Sequence, residues 1–246
     1  MKYKFFLFVF ITYCLVLNSQ NTIQGKVFYT ISMNPISNKS VDSILKKQKT
    51  PKHVQPYVRK MLQNSKDVMG VLLFSNAESL YQVENKMKNE GTVMSVTYLA
   101  AGAKSKYYSN SKEKDYFKQI EVGESLRVEM PTLEWSISQE TKMIGNYQCF
   151  KAVARQKVRD DKPTRMVEAW FTPMIPVNFG PKEYFGLPGL ILEISHDQFF
   201  IKATSITLNP KEEIKIEKPN KGKRMTEKEY TEMSKQFFKN LERGKR

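Results

Sequence analysis

Gly186-Leu187-Pro188-Gly189-Leu190-Ile191-Leu192-Glu193-Ile194 is the stretch from which the rest of the chain is read. It begins as a turn and continues as a strand. Leu187 precedes a proline, which pushes it into an extended conformation. Pro188 and Gly189 suit the central positions of a type II turn, the second of which needs φ > 0. Leu190, Leu192 and Ile194 then alternate with Glu193 and Ser195, the period of a half-buried strand, while Ile191 puts an apolar residue on the second face.

The residues before this stretch are neither helical nor strand-like. Pro173, Pro176 and Pro181 remove ladder donors, yet Met174, Ile175, Val177, Phe179, Tyr184 and Phe185 are apolar. An irregular segment of this composition needs cover. Residues 173–189 are therefore expected to fold back over one face of a sheet. Trp170, Ile175, Phe179, Tyr184, Phe185 and Leu187 form the candidate wall of a ligand or partner site, and Gly186, Pro188, Gly189 and Leu190 form its structural motif. After it, a hairpin turns at His196-Asp197-Gln198 and returns through Phe199 to Leu208.

Upstream, strand follows strand. Val27, Tyr29, Ile31 and Met33 share one face. Val68–Phe74 and Ser79–Val83 read as a hairpin, as do Val93–Leu99 and Ala103–Ser109. Asp115–Val122 and Ser125–Glu129 flank Gly123. Leu133, Trp135 and Ile137 alternate with polar residues. Tyr147–Arg159 and Thr164–Thr172 flank the turn signal Asp160-Asp161-Lys162-Pro163. This pattern predicts a mainly β fold: a curved antiparallel meander, an open roll or half-barrel. Residues 36–66 interrupt it with two short helical pieces, the first capped by Ser40 and the second opened by Pro56. At the far end, Thr226 and Glu229 have capping-box spacing, with Met225 and Tyr230 as a staple. Tyr230, Met233, Phe237 and Leu241 recur on one face of a C-terminal amphipathic helix. Four segments result: 1–20, a β domain over 21–208, a linker over 209–224, and the helix and tail over 225–246.

Residues 1–20 have the plan of a secretory signal peptide. Lys2 and Lys4 precede an apolar run of about thirteen residues, shorter than the roughly 20 of a spanning helix, and Asn18-Ser19-Gln20 ends it. Tyr13 before Cys14 argues against a lipoprotein. The expectation is export to the periplasm, the outer-membrane periphery or the medium, with no spanning helix after cleavage. Removal of Cys14 leaves Cys149 alone, so no internal disulfide is expected, and Cys149 reads as a small buried side chain.

The formal charge of +15 falls to +13 without Lys2 and Lys4. Residues 36–66 hold seven lysines and Arg59 against Asp42, and residues 211–246 hold twelve Lys/Arg against seven Glu. In an exported chain this points to anionic envelope surfaces, approached through 36–66, rather than to nucleic acid.

The motif and its neighbours resemble a known family. GLPGLI stands intact at 186–191. Trp135, Ile144-Gly145 with Tyr147, Cys149 and Ala152, Ala169-Trp170-Phe171-Thr172, Ile175-Pro176 and Gly180-Pro181 extend the similarity over roughly 130–208. Phe171 stands where tyrosine is more usual. The chain thus resembles the GLPGLI family of exported proteins from Bacteroidetes-type bacteria. That resemblance implies export and a mostly β fold, and it carries over no catalytic residue.

Three function classes remain. No G-x-S-x-G, H-E-x-x-H, P-loop or glycine-rich dinucleotide turn is present. Glu134, Glu168 and Glu193 would be the carboxylates of a cryptic hydrolase. Met130, Met143, Met166 and Met174 with Cys149 are soft donors for a copper-handling protein, without ligand-like spacing. The favoured class is a non-catalytic binding or envelope-accessory protein. It needs no cofactor, and it holds an apolar small molecule or docks an envelope protein.

Overall fold

The computed structural model describes residues 23–48, 50–84, 95–157 and 164–243, with side chains through 237. Residues 1–20, with Cys14, and the turn expected over 160–163 lie outside the described residues. Twelve strands form one sheet: β1 (Gln24–Met33), β2 (Val68–Ser75), β3 (Glu78–Val83), β4 (Ser105–Asn110), β5 (Asp115–Val122), β6 (Glu124–Glu129), β7 (Ser136–Ile144), β8 (Tyr147–Gln156), β9 (Arg165–Thr172), β10 (Leu190–His196), β11 (Phe199–Leu208) and β12 (Lys223–Met225). Four helices accompany it: α1 (Asn38–Lys47), α2 (Gln55–Gln63), α3 (Val96–Ala100) and α4 (Glu227–Arg243).

The strand order is β12-β6-β5-β4-β3-β2-β1-β11-β10-β9-β8-β7, antiparallel except for the β12–β6 pair. The sheet is thus mainly antiparallel and open, and it is not a simple meander. β1 sits in the middle, paired with β2 on one side and β11 on the other. Its inward residues Val27, Tyr29 and Ile31 are fully buried.

The curvature follows from chain length. β6 and β7 lie ten strand spacings apart in the order, about 48 Å across a flat sheet. Only residues 130–135 connect them, a reach of at most about 25 Å. The sheet must roll until its two edges approach each other across a seam. Residues 173–189 fill the hollow of that roll.

Several expectations change. Of the strand expected over Val93–Leu99, the described part is a short helix. Val93 lies outside the described residues, and Ser95 caps a short helix by accepting the Tyr98 N–H at 3.0 Å. The cap overrides the β-branched pair Val96-Thr97. Leu133 and Trp135 precede β7 instead of forming it, because Trp135 turns inward. α1 is capped by Ser37, which accepts the Ser40 N–H, so the helix starts before Ser40. Val41 and Leu45 of α1 are buried, so the basic insertion is anchored. The last residues of the 209–224 segment begin β12, and Pro219 is buried. At α4 the capping box forms as read: Thr226 Oγ1 accepts the Glu229 N–H at 3.2 Å, and the Thr226 N–H donates to Glu229 Oε2 at 2.7 Å.

Candidate functional site: a plugged roll

The chain leaves β9 at Thr172, runs through the roll, turns, and comes back to β10 at Leu190. Its two limbs are tied together. Gly186 N–H donates to Asn178 O at 2.9 Å, Leu190 N–H to Ile175 O at 3.0 Å, and Ile191 N–H to Phe179 O at 3.0 Å. The motif turn is tighter than a type II turn. Gly189 N–H donates to Leu187 O at 2.9 Å, a three-residue turn around Pro188. The outgoing limb takes the Leu190 amide that a four-residue turn would have used. Gly189, at φ +156, lies against the end of β9: a Cβ there would sit 2.2 Å from Thr172 O. Gly180 is constrained in the same way by Tyr184 O, at 2.5 Å from a built Cβ.

The plug's apolar side chains are core. Phe179 and Leu187 are 1% exposed, Tyr184 0% and Phe185 4%; Ile175 is buried with them. Phe179 lies 6.4 Å from Phe74 of β2, ring centre to ring centre, and Phe185 stacks on Tyr116 of β5 at 4.3 Å. Trp135 Nε1 donates to Phe185 O at 2.9 Å, which fastens the seam link to the plug. Tyr29 Oη donates to Ile191 O at 2.7 Å. Strands distant in the sheet order therefore meet on one segment.

Trp170 is elsewhere. Arg165 Nη2 donates to Tyr184 Oη at 3.3 Å and so lies on the plug side of β9. Trp170, five residues on, faces the other way. There its Nε1 donates to Glu168 Oε1 at 2.9 Å, and Lys142 Nζ lies 4.2 Å from its ring centre.

The plug's tip is ionic, which the sequence did not signal. Lys182, at φ +56, donates through Nζ to Ala100 O at 3.0 Å and lies 5.1 Å from the Phe199 ring centre. It is 3.4 Å from Glu183 Oε2, and Arg165 Nη2 is 3.9 Å from Glu183 Oε1. Burial works to raise the Glu183 pKa, but the charges of Lys182, Lys118 and Arg165 prevail and hold it at about 2. Burial lowers the Lys182 pKa. His196, expected in a turn, ends β10 and is buried. Burial, then Arg165 and Lys182, push its pKa down to about 4. Both its nitrogens, and the Tyr81 hydroxyl, lack a hydrogen-bond partner among the described residues.

At the other end of the plug is a cleft of about 430 Å³. It is lined by Asn76 and Ala77 of the β2–β3 turn, Ser111, and Pro176, Asn178 and Pro188 of the plug, with Val177, Phe179 and Gly189 behind. Here the motif reaches the surface, because Pro176 and Pro188 are exposed.

Of the other candidates, Glu168 and Glu193 flank Trp170 on β9 and β10. Glu134 is exposed at the seam, Glu168 is paired with Lys151 at 3.1 Å, and Glu193 with Lys142 at 2.8 Å. Met130 is buried, whereas Met143, Met166 and Met174 are exposed. Cys149 is buried, and its burial raises the thiol pKa to about 11. Among the described residues, no three His, Cys, Asp or Glu side chains gather where they could hold a metal ion.

The family model described as "Protein of unknown function (Porph_ging)" matches residues 159–193, which span β9, the plug and the start of β10. No curated protein matches the chain. Solved structures are similar, two of them of PNGF-II. "Structure of PNGF-II in C2 space group" has a TM-score of 0.50 and 16% identity, covering 86% of this chain and 32% of that one. "Structure of PNGF-II in P21 space group" has a TM-score of 0.49 and 16% identity, covering 85% and 32%. The chain thus spans about a third of the length of PNGF-II. At this identity the likeness is one of fold. The sequence match, short as it is, falls on the plug.

Proposed function

We propose that this is an exported, non-catalytic docking protein of the cell envelope, of the GLPGLI type and from a Bacteroidetes-type bacterium. The burial of the plug carries this reading. An apolar small molecule would have to occupy the hollow of the roll, and Ile175, Phe179, Tyr184, Phe185 and Leu187 already fill it. What the motif leaves open is the cleft at the plug's base. Its walls are stiff: Pro176 and Pro188 have fixed φ, and Asn76 holds a left-handed turn at φ +55. A rigid surface with a few amide and hydroxyl groups suits contact with another protein, since little ordering cost is left to meet on binding. Among the described residues no helix is long and apolar enough to cross a membrane.

Native mass spectrometry of the protein purified from its own envelope tests this. The expected result is a co-purifying protein that is lost in Ala77→Arg, which fills the cleft, while the melting temperature stays within about 2 °C. A co-purifying lipid without a protein, or a protein partner retained by Ala77→Arg, overturns the reading.

A further inference from the structure

The seam contains a second opening, where β7 leaves β8. β7 faces β8 only from Ser136 opposite Val153 to Ile144 opposite Tyr147. The last residues of β8 pair on β9 alone: Ala154 with Val167, Arg155 with Met166, and Gln156 with Arg165. On their other side residues 132–135 have swung away, held by the bond from Trp135 to Phe185 O. The result is a wedge of about 580 Å³ between the link and the bare end of β8. Leu133, Glu134 and Trp135 form one wall, and Arg155 and Met166 the other.

We propose that this wedge takes an extended, acidic segment of a partner protein, which adds to the sheet as a short strand beside residues 154–156. The proposal goes beyond the docking reading, since the wedge shares no lining residue with the cleft. Among the described residues no strand pairs with that flank of β8, and unpaired strand edges are templates for another chain. Three residues of strand offer about 10 Å of ladder. The neighbouring edge shows what protection looks like in this sheet. β7 has a register break between Ile137 and Thr141 and presents Glu140 and Lys142, devices that deter pairing. The bare end of β8 has no bulge, and no described residue pairs over it. Its surroundings mix apolar and polar groups: Met166 is 54% exposed, Leu133 and Trp135 are half-buried, and Thr132, Glu134 and Arg155 stand among them.

Charge selects the occupant. The chain carries a formal +15, so a second copy is repelled and an acidic partner attracted. Arg155 is exposed on the strand wall and meets an acidic residue of the incoming segment. Exposed Glu134 on the opposite wall confines that acid to the Arg155 side. Apolar residues two positions to either side of the acid share its face and sit against Met166, which stands opposite Arg155.

A display library of random nonapeptides, panned on the purified protein, tests the inference. Enriched sequences should place an acid between apolar residues. A synthetic version should bind with a Kd raised about tenfold in Arg155→Glu and in Met166→Asp. Met143→Glu, on the guarded edge, should leave it unchanged. Amide exchange of residues 154–156 should slow on binding. Each of the following overturns the proposal: no enrichment; equal binding by Arg155→Glu with its melting temperature intact; unchanged exchange at 154–156; or a dimer that protects those same amides. An envelope partner that is lost in Ala77→Arg but kept by Arg155→Glu removes the wedge while leaving the cleft reading in place.

Discussion

Gly186 and Gly189 belong to one motif and answer to different constraints. Gly186 has φ +94, and a Cβ there meets nothing within 4 Å. Gly186→Ala should therefore lose only the conformational term, about 1 kcal/mol. At Gly189 a Cβ would collide with the carbonyl and carbonyl carbon of Thr172, backbone at the end of β9. Gly189→Ala should cost on the order of 4 kcal/mol. Urea denaturation of the two variants checks the contrast, and equal losses would refute it. Phe179→Ser removes a ring packed against Phe74 and buries a hydroxyl. The expected loss is about 4 kcal/mol, with the midpoint falling and the slope unchanged. His196 sets a pH dependence. Its folded pKa of about 4 lies below the ordinary value of 6.5. The unfolded chain thus takes up the proton first, and stability falls as pH drops from 6.5 to 4, by up to about 3 kcal/mol. Arg165, Lys182, Glu183 and Asp197 surround the ring, and Glu183 stays ionised through this window. His196→Gln should flatten stability between pH 6.5 and 4. A slope as steep as that of the wild type would assign the effect to another group.

Among the elements, those written in short-range patterns were the legible ones. Period-two alternation marked β1 and β10, apolar runs and turn signals marked β2, β3, β8 and β9, and the capping box marked α4. The failures were local contests and long-range facts. At α3, Val96 and Thr97 favour a strand, yet the Ser95 hydroxyl and Gly102, at φ +87, close a helical turn on either side. The plug was recognisable as a covered loop, because prolines and aromatics share it. Its ionic tip was not, because nothing local tells Lys182 and Glu183 from solvated surface charges. Their burial is created by β9, α3 and β11 converging from afar. The cap of α4 permits a direct check. Thr226→Ala removes the acceptor for the Glu229 N–H and should cost about 1 kcal/mol. The loss should appear as faster amide exchange in the first turn of α4, with β6 following because Leu126 and Val128 pack on Tyr230 and Met233.

Over the whole molecule, charge and topology act at a longer range. Lys39, Lys46, Lys47, Lys52, Lys60 and Lys66 of the insertion are exposed. Binding to vesicles rich in anionic lipid should therefore weaken steeply between 50 and 300 mM salt, roughly the range over which the Debye length halves. Reversing Lys46, Lys47, Lys52 and Lys60 to glutamate should abolish that binding, and retained binding would place the contact elsewhere. The hairpin neighbours were legible, but the central place of β1 was not, because its second neighbour is a partner at the far end of the sequence. Gly25 stands opposite Leu208. That pairing makes folding a matter of waiting. As the chain is synthesised, β1 can zip to β2 early, but its other edge stays bare until β11 begins at Phe199. High contact order slows such a fold, and a bare apolar edge is open to the wrong partner meanwhile. A nascent chain arrested before residue 199 should thus be sticky and in need of a chaperone, whereas the chain carrying β11 should be released from it.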